Sequence, residues 1–225
     1  MTFKASHNES AAPSDLAGFI RSESFPCVGA KSSLALGHLR VFEAGAIASS
    51  KHDLELRAKI IKFGREVAGA APGMDSFACL FSAGAEMSEA VFEAAIWNRL
   101  QALHELDALH GSPWPEHVSR DPASPKFSMS VGGCPFFVVG LHPGAERPAR
   151  RFARPAIIFN PHDQFEQLRA DGRYANLQRI VRERELNFTG SINPMLADFG
   201  DRGEAVQYSG RRVGPNWRCP FKVLT

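Results

Sequence analysis

The clearest hydrophobic pattern in the chain is an apolar stripe at helical spacing within residues 87–110. The stripe consists of Phe92, Ile96, Leu100, Leu103 and Leu106. Apolar residues that recur every three or four positions predict a helix with one buried face. Weaker patterns predict a short helix that ends near Leu36, and further helices over residues 54–67, 162–170 and 174–185.

Short apolar runs predict strands at residues 77–81, 127–131, 135–141 and 155–159. Gly132 and Gly133 separate the second run from the third, and a Gly-Gly pair can adopt the positive φ angles of a tight β-hairpin. After Phe188 the chain is rich in Gly, Pro, Asn and Ser but keeps scattered apolar residues, which indicates long ordered C-terminal loops. The patterns together predict an α+β fold: a small antiparallel or mixed sheet with a β-hairpin, packed against several helices.

Composition and charge limit the class of protein. The 225 residues suit one core, and we expect a flexible tail at residues 1–18 before a single domain at residues 19–225. No apolar run approaches the ~20 residues of a membrane helix, and the N-terminus lacks the apolar stretch of a signal peptide, so a cytoplasmic protein is expected. The net charge of +2, with both signs interspersed, argues against a nucleic-acid partner, and the lack of a long apolar run argues against a membrane partner. The four cysteines are expected to be free thiols.

Two histidines lie where chemistry is often found. His142 follows a predicted strand and could be a ligand, a general base, or a loop histidine with a satisfied hydrogen bond. His162 falls in the first turn of a predicted helix, with Asn160 as its cap and Pro161 in the first helical position. The positive end of the helix would lower the pKa of His162 and favour a neutral, metal-binding imidazole, whereas the alternative is an exposed capping segment. Asp163 could orient a partner there.

Four arginines lie between these histidines: Arg147, Arg150, Arg151 and Arg154. Guanidinium groups bind carboxylates and phosphates in pairs of hydrogen bonds, so the stretch could hold a cofactor, a substrate carboxylate or nucleic-acid phosphates, or be a solvated basic surface. Cys219 precedes Pro220 and lies between Trp217 and Phe221. A cysteine in such surroundings can supply a thiolate to haem iron or be a structural cysteine.

Several longer motifs resemble the YqcI/YcgG family. They are FPCVGAK near the N-terminus, then GLHPGAERPARRFARPAIIFNPHDQFEQLR, GSINPMLADFG, EAVQYSGR and WRCPF. The similarity extends from Phe25 to Phe221 and is densest in the second half of the chain. Several long motifs in the same order make a chance match a poor explanation.

The resemblance implies a haem-dependent N-oxygenase, because family members in natural-product pathways oxidise amine or guanidine groups of amino acids and their derivatives. It implies haem b, a small amine or guanidine substrate, and either a reductase as electron donor or peroxide. The axial ligand is left open among His142, His162, Cys27 and Cys219. We rank the histidines first because both adjoin the arginine stretch, which could bind the haem propionates.

The family motifs also contain candidates for catalysis. Tyr208 could donate a proton to bound oxygen, and Asp163 or Glu204 could meet the cationic end of the substrate. Two alternatives come from other classes of function: a haem-binding sensor or carrier without catalysis, and a phosphate or nucleic-acid site formed by residues 147–154. The oligomeric state is open, with a homodimer among the options.

Overall fold

The computed structural model describes residues 12–68, 73–195 and 203–224. Within them the helices are α1 (Ser14–Arg21), α2 (Val28–Ala35), α3 (Asp53–Ala68), α4 (Glu89–Leu109), α5 (His162–Ala170) and α6 (Tyr174–Thr189). The strands are β1 (Leu39–Glu43), β2 (Ser76–Leu80), β3 (Met129–Val131), β4 (Cys134–Leu141) and β5 (Ala156–Pro161). The α+β prediction is confirmed. None of the described helices is both long and apolar enough to cross a membrane.

The strands form one mixed sheet in the order β1-β2-β5-β4-β3. β1 pairs with β2 in parallel, and the other neighbours are antiparallel. The predicted hairpin joins β3 to β4, with φ of 59° at Gly132 and 82° at Gly133. The sequence patterns did not predict β1, because this strand at the sheet edge is only partly buried and lacks a clean alternation of apolar and polar residues.

One face of the sheet carries the main core. Its side chains alternate along β2, β4 and β5, as strand geometry requires, and pack against α3 and α4. They are Phe77, Cys79, Phe136, Val138, Ile157 and Phe159. The opposite face is covered at one end by a second cluster, in which Leu16 and Ile20 of α1 pack against Leu80 and Ala156. Residues 14–18 of the predicted tail are therefore helical, and residues 1–11 lie outside the described part.

The predicted cap at Asn160 is wrong. β5 continues through Pro161, which takes the capping position of α5 without a side-chain hydrogen bond. The Asn160 side chain instead accepts from Ser76 Oγ at 2.8 Å and donates to the Phe137 carbonyl at 3.2 Å. The Asn160 side chain therefore forms hydrogen bonds with neighbouring strands instead of capping α5.

The chain from residue 203 to residue 224 is mostly irregular, as predicted, with one short 3-10 helix at Glu204–Gln207. It is held against α4 by hydrogen bonds from backbone amides to side chains. Lys222 N donates to Gln101 Oε1, and Leu224 N donates to His104 Nε2, both at 2.9 Å.

Candidate functional site: an apolar cleft beneath α5 and α6

An apolar cleft occupies the other end of the second sheet face. It is bounded by the sheet, α2, α5, α6 and the 3-10 helix, and counting its open mouth it encloses about 1200 Å³. Ser76, Phe137 and Asn160 line it because they alternate with residues that face the main core. The remaining walls are mostly apolar side chains, including Val139, Phe165, Leu177 and Val181. A mostly apolar cavity with a few polar groups in its wall is typical of a site for a small molecule.

His162 is the first residue of α5 and lines the cleft. Only 3% of its surface is exposed, and its Nε2 lies 3.4 Å from Glu166 Oε1. Burial lowers the pKa of His162, so the neutral imidazole is favoured. The direction matches the sequence-based expectation, but the main cause is burial among the cleft walls and not the end of the helix.

Cys27 lines the same cleft from the start of α2. Its Sγ accepts a hydrogen bond from Ala30 N at 3.4 Å and so caps the helix. Burial raises the pKa of the Cys27 thiol, which favours the protonated form. The neighbouring Gly29 allows close packing, because a Cβ there would lie 2.5 Å from Met74 Cε.

Glu204 brings a carboxyl to the cleft from the 3-10 helix. It is 7% exposed, and burial raises its pKa to about 8. The Tyr208 hydroxyl donates to Glu204 Oε1 at 2.5 Å and accepts from Met129 N at 3.1 Å. Tyr208 is fully buried outside the cleft, and burial beside Glu204 raises its pKa well above the usual range. Tyr208 therefore lies behind the cleft wall, hydrogen-bonded to Glu204.

The four arginines of residues 147–154 do not line the cleft. Each donates to acceptors of the protein itself: Arg147 to Glu185 and Thr189, Arg150 to the carbonyls of Gly140 and Gln207, Arg151 to the carbonyls of Ala145 and Glu146, and Arg154 to Asp15 and Glu43. Their contacts tie loops and helices to one another. The basic residues in the cleft are Arg169 and Arg182, which the sequence analysis did not single out. Arg169 lies on the helix that begins at His162, and Arg182 lies on the helix that begins at Tyr174. Their positions on these two predicted helices were the sequence feature that could have identified them.

The other candidates lie apart from the cleft. His142 is 1% exposed and stacks on Phe92 with ring centres 4.2 Å apart. Asp163 is exposed and pairs with His117 Nε2 at 2.9 Å. Cys219 packs against the main core, and burial raises its thiol pKa to about 12. Of the four candidate ligands, the structure brings only His162 and Cys27 to one cavity.

Within the described ranges, no group of three or more His, Cys, Asp or Glu side chains could hold a metal ion by itself.

Comparison with known proteins gives a family and two relatives. The YqcI/YcgG family model matches residues 16–222. The chain is 26% identical over 215 residues to "Uncharacterized protein YcgG" of Bacillus subtilis (strain 168), which covers 90% of this chain and 82% of that protein. It is 30% identical over 166 residues to "Putative N(omega)-hydroxy-L-arginine synthase DcsA" of Streptomyces lavendulae, covering 70% of this chain and 60% of the relative. No solved structure gives a significant match.

Proposed function

Because the chain belongs to the YqcI/YcgG family, we propose that it is an enzyme that hydroxylates a nitrogen of an amine or guanidine group in a small amino-acid-like substrate. The cofactor of this reaction would be haem b, held in the apolar cleft. The observation that carries the proposal is a neutral, buried His162 in the wall of that cleft. The name of the Streptomyces relative, "Putative N(omega)-hydroxy-L-arginine synthase DcsA", supports the same class of reaction.

The residues of the cleft fit a haem. The iron needs one protein ligand beyond the porphyrin nitrogens, and a neutral imidazole is a common one. His162 would supply it, while Phe137, Val139 and Leu177 offer apolar walls for the porphyrin. Arg169 and Arg182 line the cleft, which the arginines of residues 147–154 do not, and they would pair with the propionates; Arg169 would exchange its present ion pair with Glu166 for that contact.

Cys27 is the weaker candidate for the ligand. A thiolate and not a thiol binds iron, and burial raises the pKa of this thiol. Its sulfur also already accepts the hydrogen bond that caps α2.

Bound haem would supply oxygen-atom transfer: O₂ with two electrons and two protons from a reductase, or peroxide alone, gives a hydroxylated nitrogen and water. The protein would hold the substrate nitrogen in place and limit the access of water through the apolar walls. Tyr208 has no direct path to a ligand in the cleft, so its predicted proton donation would have to pass through Glu204.

The test is an absorption spectrum of protein produced with a haem precursor, recorded oxidised, reduced and with carbon monoxide. We expect a stoichiometric Soret band with the carbon-monoxide shift of a histidine-ligated haem. His162→Ala should lose most of the bound haem or change its spectrum. His142→Ala is the matched control, since that histidine is equally buried but lies outside the cleft, and it should keep the wild-type spectrum.

Turnover is measured separately, as addition of one oxygen atom to amines and guanidines detected by mass spectrometry. Haem binding without oxidation of any of them would favour the sensor or carrier. Absence of a Soret band after haem is added to the purified chain would overturn the proposed cofactor. An unchanged spectrum in His162→Ala would overturn the assigned ligand.

A further inference from the structure

Glu204 is the one acidic residue among the described residues that line the cleft. Its neighbours there include the cations Arg169 and Arg182, the amides of Gln178 and Gln207, and apolar side chains. Buried carboxyls with a raised pKa in the wall of a cleft are common at functional sites, and Glu204 is such a carboxyl.

The position of the carboxyl is tightly fixed. Tyr208 holds Oε1 through a hydrogen bond of 2.5 Å, and Met129 N in β3 holds the Tyr208 hydroxyl. The Tyr208 ring stacks on Trp97 with centres 5.5 Å apart and contacts Phe127 at 6.2 Å. A carboxyl oriented by a chain of buried contacts is suited to binding one group in one geometry.

We propose that Glu204 is the subsite for the cationic nitrogen group of the ligand, a guanidinium or an ammonium, and that Tyr208 is the positioning residue of this subsite. This inference rests on the proposed function and adds to it the residue that selects a cation over a neutral group. A guanidinium presents a planar set of N–H donors that matches a carboxylate. In the empty cleft the Glu204 carboxyl interacts with the hydroxyls of Tyr208 and Ser128.

Binding at this subsite moves a proton. With a pKa of about 8, Glu204 is protonated in the empty cleft at pH 7. A bound cation favours the carboxylate, so the carboxyl proton leaves to the buffer as the ion pair forms. Among the other charged groups near it, Arg169 on α5 favours the ionised form and Glu166 on α5 opposes it, while the Tyr208 hydrogen bond favours ionisation. His162 and Arg182 line the same cleft.

The experiment is isothermal titration calorimetry on the full chain at about pH 7, in buffers that differ in ionisation enthalpy, before and after haem loading. The probes are L-arginine and agmatine, which carry a guanidinium, and L-citrulline, which carries a neutral urea in its place. For the two cations we expect a net release of protons, at most one per ligand bound, because the raised pKa of Glu204 keeps its carboxyl mostly protonated in the empty cleft. L-Citrulline should bind without proton release.

Two variants test the carboxyl itself. Glu204→Gln keeps the shape of the side chain, and it should weaken cation binding on the order of tenfold to a hundredfold and abolish the proton release. Glu204→Asp keeps the charge but shortens the side chain, so it should bind more weakly and still release a proton. Both variants are first checked for folding by circular dichroism, so that a lost signal is read only from folded protein.

Tyr208→Phe tests the positioning role. Without the hydroxyl the pKa of Glu204 rises further, so cation affinity at pH 7 should fall and recover as the pH is raised. The pH of half-maximal affinity should therefore move upward relative to the wild type. A purely structural role of Tyr208 would lower affinity without moving that pH.

The outcomes separate this inference from the proposed function. Proton-linked binding of L-arginine without any Soret band overturns the haem proposal and supports the subsite. Haem binding and turnover that Glu204→Gln leaves unchanged overturn the subsite and support the enzyme. Failure of both guanidinium probes to bind, or binding that Glu204→Gln leaves unchanged, also overturns the subsite.

Discussion

The buried Glu204 carboxyl should make the stability of the protein depend on pH. Its pKa is about 8 in the folded protein, against about 4.3 for an unfolded chain. Between these pH values the folded protein binds a proton that the unfolded chain has released. The free energy of unfolding therefore falls as the pH rises through this window, and the loss is complete above about pH 8.

Glu204→Gln removes this titration and should change the melting temperature in a pH-dependent way. The difference between variant and wild type should shift in favour of the variant from about pH 5 to pH 9 in thermal melts. Glu183→Gln is the control, because Glu183 forms an exposed pair with Arg179 on α6 and should show no such trend. If the melting temperatures of Glu204→Gln and the wild type differ by the same amount at every pH in this range, the raised pKa of Glu204 is contradicted.

At the level of single residues, the sequence predicted part of the cleft but not the hydrogen-bond partners of the arginines in residues 147–154. His162, Cys27 and Glu204 were identified from motifs and do line one cavity. The partners of Arg154 could not be predicted, because Asp15 and Glu43 lie more than a hundred positions away in the chain. Local spacing shows where charges are dense but not which acceptors the fold brings beside them.

The β3–β4 hairpin shows how one element depends on its turn. Gly132 and Gly133 both have positive φ, so either alanine variant would adopt a left-handed conformation at a cost of about 1–2 kcal/mol. Their surroundings differ. A Cβ at Gly132 would lie 2.2 Å from Ile61 Cγ1, whereas the nearest atom to a Cβ at Gly133 is the Pro113 carbonyl oxygen at 3.5 Å.

Gly132→Ala should therefore destabilise the protein more than Gly133→Ala. Overpacking against Ile61 adds about 1–3 kcal/mol to the backbone term, and it also disturbs the hydrogen bond from Gly132 N to Asp107 Oδ2 at 2.6 Å. Urea denaturation of the two variants measures the difference directly. Equal losses, or a larger loss for Gly133→Ala, would show that the α3 contact does not constrain the turn.

Elements were easiest to predict where their signal was local. The stripe of α4 and the Gly-Gly turn depend only on nearby residues, and both predictions are confirmed. The extent of α5 was predicted correctly, but its cap was not, because Asn160 forms hydrogen bonds with Ser76 and Phe137, which belong to neighbouring strands. β1 was missed because its strand character comes from parallel pairing with β2 and not from its own pattern.

In the whole molecule, the helices on the two faces of the sheet differ in how many of their residues are buried. α4 has nine buried residues among 21, and with α3 it seals the aromatic core. α6 has one buried residue, Glu185, among 16, and together with α5 it forms part of the cleft wall. Helices with few buried contacts open at lower free energies than helices within a core. The wall of the cleft should therefore be the more easily opened side.

Hydrogen exchange followed by mass spectrometry tests this difference and links it to ligand binding. In the free protein the amides of α6 should exchange well before those of α4. Haemin or L-arginine bound in the cleft would contact α5 and α6, and these contacts break when the helices open. Bound ligand should therefore slow amide exchange in α5 and α6. Amides of α4 should change little, which makes α4 the internal control. Protection confined to α4 would place the ligand on the other face of the sheet, because a ligand stabilises most the segments whose opening would break its own contacts.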